Sequence, residues 1–153
     1  MEKIFYSYPE FCKDSQNLAN QIKDYKPDAI VAVARGGLTL GHFLSSFLNI
    51  RNLYCINSIH YNDTQKLDTF EVFNIPDLSK SKKVVIVDDI VDSGETFVKL
   101  KEVLSLKFSN CDFQFASIFY KPEALIVPQF KVKIANAWIE FFWESPQVAG
   151  NDS

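Results

Sequence analysis

The chain has 153 residues, 47% of them hydrophobic and 23% charged, with a net charge of −3. That length suits one domain able to fold on its own apolar core, and that balance argues against disorder. The slight acidic excess removes the usual electrostatic drive for sequence-independent nucleic-acid binding, and the longest charge-free run, Gly36 to Ile50, falls short of the roughly 20 apolar residues of a membrane-spanning helix.

The N-terminal residues lack the basic region and apolar core of a secretion signal, so the expected location is the cytoplasm. A helix is predicted over Pro9–Asp24: Ser7 and Pro9 suit its start, and Phe11, Leu18 and Ile22 recur on one face. Ala29–Ala34 (AIVAVA) is a buried strand, and Thr39 is placed to cap a helix running to about Leu48. Leu53–Ile59 is a second strand. The polar segment His60–Asn74, with Asn62, Asp63, Thr64, Gln65 and Lys66, has weak periodicity and reads as a lid or flexible arm.

Lys83–Val87 (KVVIV) is the clearest strand, β-branched, apolar on both faces and then abruptly polar. A helix follows over Glu95–Lys107, then strands over Phe113–Tyr120 and Val132–Ala135, while Ala149–Ser153 reads as a flexible tail after a single domain spanning 1–148. Cysteines at 12, 55 and 111 form neither a CxxC pair nor a zinc set and are expected to be reduced, mostly buried thiols. Apolar strands alternating with helices predict an α/β domain with a mainly parallel sheet covered on both faces. Ligands of such sheets bind at the carboxyl ends of strands. Two ends stand out, Arg35-Gly36-Gly37 and Asp88-Asp89.

The stretch VVIVDDIVDSGET, Val84–Thr96, carries the chemistry. A Ser-Gly turn opening a helix offers backbone N–H groups and a helix dipole to an anion; Gly94 permits close approach, and Ser93 and Thr96 add hydroxyls. Asp88 and Asp89 can accept from sugar hydroxyls or hold Mg²⁺. The G-x-x-x-x-G-K-[ST] phosphate loop of NTPases is absent, and the acidic pair lies too far along the chain for a response-regulator receiver domain.

This pattern resembles the 5-phosphoribosyl diphosphate (PRPP) signature of type I phosphoribosyltransferases. The resemblance implies that family's three-layer fold with a small hood built from terminal segments. It also implies that Arg35 and Gly36 form a pyrophosphate loop, with a non-proline cis peptide at Ala34–Arg35. Ser93, Gly94, Glu95 and Thr96 would receive the 5′-phosphate, Asp88 and Asp89 the ribose, and Asp89 the Mg²⁺. The mobile loop carries Gln65-Lys66 where relatives have Gln-Arg, so Lys66 would offer charge but no planar fork. Asn57 and Ser58 stand where relatives have Ser-Ser.

An acidic residue at Asp92 is similar to members acting on 6-oxopurines, where it would serve as the catalytic acid/base at N7. Lys121, in IFYKP, would donate to O6. WIEFFW, Trp138–Trp143, is similar to the bacterial xanthine-guanine enzymes: Trp138 would stack on the base and the backbone of Ile139 would read its C2 substituent, while a C2 contact from Glu144 stays open. The implied reaction joins a 6-oxopurine to PRPP with Mg²⁺ in a homodimer or homotetramer, involving neither nucleic acid nor membrane. The alternative is a nucleotide-binding or regulatory protein on the same fold without turnover.

Overall fold

The computed structural model describes residues 2–61 and 69–144. The elements are β1 (Lys3–Tyr6), α1 (Tyr8–Ile22), β2 (Ala29–Ala34), α2 (Leu38–Leu48), β3 (Leu53–Tyr61), β4 (Thr69–Phe73), β5 (Lys83–Val91), α3 (Glu95–Lys107), β6 (Asp112–Tyr120), β7 (Phe130–Ile134) and β8 (Trp138–Phe141). A six-stranded sheet has the order β4-β3-β2-β5-β6-β7, and β1 pairs with β8 in a separate two-stranded ribbon. The β3–β4 pair is antiparallel; the other neighbours in the large sheet are parallel.

The chain leaves the centre of the sheet in opposite directions, from β2 through α2 to β3 and from β5 through α3 to β6. Crossovers of one hand then place α2 and α3 on opposite faces. Two cores result. Leu40 and Leu44 of α2 pack with Phe11, Leu18 and Ile22 of α1 against Val85 and Val87. Phe97, Leu100 and Leu104 of α3 pack on the other face with Val84, Ile86 and Phe115. The order reverses between β2 and β5, so a crevice opens at their carboxyl ends.

Local chemistry explains the boundaries. The Ser7 hydroxyl accepts from the Glu10 N–H at 3.3 Å and the Glu10 carboxylate accepts from the Ser7 N–H at 3.1 Å, a reciprocal cap at the start of α1. That helix ends at Ile22 rather than Asp24, in a short 3₁₀ turn over Lys23–Tyr25. Thr39 does not cap α2. The N-cap is Gly37, without a side-chain cap, because β2 turns directly into the helix: the Gly37 N–H donates to the Val33 carbonyl at 2.8 Å, and a Cβ there would lie 2.5 Å from the Val87 carbonyl oxygen.

Strand β5 does not stop at Val87. It continues through the acidic pair to Val91, because Ile90 and Val91 keep pairing with Phe119 and Tyr120 of β6. Nor is His60–Asn74 wholly a loop. Tyr61 completes β3, and Thr69–Phe73 forms β4 in antiparallel register, Asn57 opposite Phe73 and Tyr61 opposite Thr69. Cross-strand pairs such as His60 on Phe70, stacked at 4.2 Å, supply the order that polar content hid. Residues 62–68 of the expected lid, Gln65 and Lys66 among them, lie outside the described residues, as does the expected tail.

The terminal segments form the hood, with β1 and β8 in parallel register, Lys3 opposite Trp138 and Tyr6 opposite Phe141. All three cysteines are free thiols. Among the described residues no helix is long and apolar enough to cross a membrane.

Candidate active site

Both strand ends singled out in the sequence meet in the crevice. The Ala34–Arg35 peptide is cis. Gly36 packs directly on Asp89: a Cβ there would lie 2.5 Å from Asp89 Oδ2, so a side chain at 36 would displace the Asp89 carboxylate. Arg35, Gly36 and Asp89 line a cavity of about 590 Å³ together with Thr39, Trp143 and Glu144. Glu144 therefore faces the Asp89 side of the crevice, its carboxyl raised by burial and then by the Asp89 charge. Nothing local in WIEFFWE announced that placement, which depends on how the hood docks.

The paired carboxylates are held side by side, with the Asp89 N–H donating to Asp88 Oδ1 at 2.8 Å. Burial raises both, Asp88 well above the usual carboxylate range because the Asp89 charge adds to its burial. Among the described residues no salt bridge compensates either one. Two crowded carboxylates at a cavity edge suit a hard cation. No set of three or more metal-holding side chains occurs among the described residues, so the remaining oxygens would come from substrate and water, the usual manner of Mg²⁺ binding.

After Val91 the chain turns through Asp92 and Ser93 into Gly94, whose φ of 86° is left-handed. A Cβ on Gly94 would lie 2.8 Å from the Ile126 nitrogen and 2.9 Å from that of Leu125, and the Leu125 N–H donates to the Ser93 carbonyl at 2.8 Å. Glycine is thus demanded by the backbone braced behind the loop, a constraint that the phosphate-approach reading of Gly94 did not include. A pocket of about 120 Å³ is lined by Asp88, Asp92, Ser93, Gly94, Thr96 and Phe97. The Ser93 hydroxyl accepts from the Glu95 N–H at 3.2 Å, while the Glu95 carboxylate lies 3.9 Å from His60 Nδ1 on the β3–β4 arm.

Asp92 and Lys121, 29 positions apart in the chain, are joined at 2.7 Å between Oδ1 and Nζ. The Lys121 N–H donates to the Val91 carbonyl at 3.0 Å, which sets its side chain beside the loop, and the Asp92 carboxylate raises its amine. The Ala135 N–H donates to the Tyr120 carbonyl at 2.8 Å, so the segment leading into β8 leaves the sheet beside Lys121. On β8, Trp138 is 59% exposed whereas Ile139 is buried, leaving only the Ile139 backbone to meet a ligand.

The family model of the phosphoribosyl transferase domain matches residues 3–148. Xanthine-guanine phosphoribosyltransferase of Idiomarina loihiensis is 30% identical over 146 residues, covering 93% of this chain and 87% of that protein. The solved structure of the Helicobacter pylori xanthine-guanine-hypoxanthine phosphoribosyltransferase is 40% identical, with a TM-score of 0.87 over 94% of each chain. A purine phosphoribosyltransferase from Pyrococcus horikoshii is 31% identical, with a TM-score of 0.84 over 99% of this chain and 100% of that one. The match along nearly the whole chain agrees with the layered sheet, the hood and the acidic strand end: this chain belongs to the phosphoribosyltransferase family.

Proposed function

We propose that this protein transfers the 5-phosphoribosyl group from PRPP to N9 of a 6-oxopurine (guanine, xanthine or hypoxanthine), yielding the nucleoside 5′-monophosphate and pyrophosphate for purine salvage. The observation that carries this reading is the Asp92–Lys121 pair beside the Ser93-Gly94 turn. An ammonium donor and a carboxylate acceptor, 2.7 Å apart, complement the adjacent O6 and N7–H of a 6-oxopurine. An amino group at C6 would instead meet the Lys121 ammonium donor against donor.

Each strand end has its task. The 5′-phosphate seats at the N-terminus of α3, on the backbone N–H groups from Gly94 to Thr96 and the hydroxyls of Ser93 and Thr96. Asp88 and Asp89 accept from the ribose hydroxyls. Arg35 and the Gly36 N–H receive the diphosphate, and Lys66 is assigned to the same group. Mg²⁺, held through Asp89, would neutralise charge on the diphosphate oxygens.

As the base enters, Lys121 turns from Asp92 to O6 and Asp92 turns to N7. N9 attacks C1′ while the bond from C1′ to the diphosphate breaks, and the N7 proton passes to Asp92. Trp138 stacks on the base and fixes its plane, and the Ile139 backbone meets C2. Positioning and charge stabilisation therefore supply most of the rate. The protein is expected to work in the cytoplasm as a homodimer or homotetramer.

A spectrophotometric assay with PRPP, Mg²⁺ and each of guanine, hypoxanthine, xanthine and adenine tests the reading, with pyrophosphate release followed in parallel. Turnover with at least one 6-oxopurine and none with adenine is expected. PRPP binding without turnover on any purine would replace it with a nucleotide-binding regulator on this fold.

A further inference from the structure

The two-stranded hood shares no backbone ladder with the main sheet. A ribbon of two four-residue strands is marginal alone, so its position depends on how it docks. Three residues from different elements meet at that joint. Tyr6, the last residue of β1, is 1% exposed, and its hydroxyl donates to Asp14 Oδ2 on α1 at 2.6 Å. Lys133 on β7 reaches the same oxygen at 2.9 Å, with its amine 5.4 Å from the centre of the Tyr6 ring.

The Tyr6 ring meets Phe119 of β6 edge-on at 5.0 Å and Phe141 of β8 at 5.8 Å, and the Tyr6 carbonyl accepts from the Phe142 N–H at 3.0 Å. One side chain thus ties both hood strands to a helix and two strands of the body. Burial, then the Asp14 hydrogen bond and charge, hold the phenol far above its ordinary range, so it stays a donor. None of these groups is needed for the chemistry proposed above.

We propose that the Tyr6–Asp14–Lys133 cluster is a positioning device for base binding: it fixes the angle at which the hood presents Trp138 and the Ile139 backbone to the purine. Trp138 begins the strand that Phe141 ends, about 10 Å away at 3.3 Å per residue, so slack at Tyr6 becomes displacement at the stacking ring. The 5′-phosphate turn, on β5 and α3, does not pass through this joint, and the diphosphate side meets the hood only at Trp143 and Glu144, beyond the end of β8. This inference rests on the proposed transferase reading.

Tyr6→Phe is the test, because Asp14 keeps Lys133 as a partner and no buried charge is stranded. A control of the same chemistry exists at the opposite end of the sheet, where the half-buried Tyr25 hydroxyl donates to the Asp112 carboxylate. The expected result for Tyr6→Phe is a base KM raised about fivefold, with the PRPP KM and kcat within about twofold of wild type. Tyr25→Phe leaves all three unchanged. Hydrogen exchange in residues 138–142 speeds up in Tyr6→Phe and not in Tyr25→Phe.

An unchanged base KM, an equal rise in both KM values, or the same base effect in Tyr25→Phe overturns the proposal. Exchange reads the joint without turnover: if the wild type acts on no purine, the transferase reading fails, and unchanged exchange at 138–142 in Tyr6→Phe would still overturn the joint.

Discussion

The residues proposed to receive the phosphoribosyl donor lie mostly on one stretch, from Asp88 in β5 to Thr96 in the first turn of α3. Those proposed to face the base come from the loop after β5, the end of β6 and a strand of the hood. The first group rides on one continuous stretch, braced by the β5–β6 ladder, by Gly94 against residues 125 and 126, and by Gly36 packed on Asp89. The second is fixed only when distant segments dock. A fault in the fold away from the site should therefore reach the base before it reaches the donor.

The largest way to sharpen this contrast is Asp89→Ala. Losing a carboxylate where donor charge gathers should lower kcat/KM for PRPP by about 10²–10³-fold and change the base KM far less. Equal losses for both substrates would erase the distinction. Trp138→Ala should do the reverse, raising the base KM by about 5- to 160-fold, the span of about 1–3 kcal/mol for a stacked base, with little change for PRPP. A larger PRPP effect would put Trp138 outside the base side.

Gly94→Ala should cost about 1–2 kcal/mol of stability in a denaturant melt and raise the PRPP KM, since its φ of 86° and the nitrogen 2.8 Å from a Cβ both oppose a side chain. A neutral result would mean that the loop yields without cost.

A further effect concerns pH. Burial raises both Asp88 and Asp89, so the folded chain holds their protons more tightly than the unfolded chain does. Ionising them then costs stability, and the cost grows as pH rises from the ordinary carboxylate range through the raised values. Metal-free Asp88→Asn should match wild type near pH 4 and be more stable at neutral pH, by about 1 kcal/mol for each unit of raised pKa. A constant difference across that range would contradict the raised pair.

The same contrast governs what the sequence disclosed. The turn from Asp88 to Thr96 was legible because its donors and carboxylates are neighbours in the chain. Asp92 and Lys121 were each named, but their mutual contact arises only when β5 and β6 lie side by side. The extent of β5 was underestimated because two carboxylates interrupt an apolar run while the ladder to β6 continues. A hydroxyl is the usual capping signal and points to Thr39, whereas Gly37 starts α2 through backbone geometry alone. The strands β1 and β8 are four residues each, too short for periodicity to mark. Tyr6 and Asp14 sit on different elements and Lys133 lies 119 positions beyond Asp14, so no spacing rule joins the three.

The most direct test of the account is single-turnover formation of nucleoside monophosphate by Asp92→Ala, with PRPP and a 6-oxopurine both saturating and the melting temperature measured alongside. The rate should fall by about 10²–10⁴-fold with the melting temperature essentially unchanged, because Asp92 is exposed and its contribution is to hold the N7 proton. Full-rate formation by Asp92→Ala would contradict it.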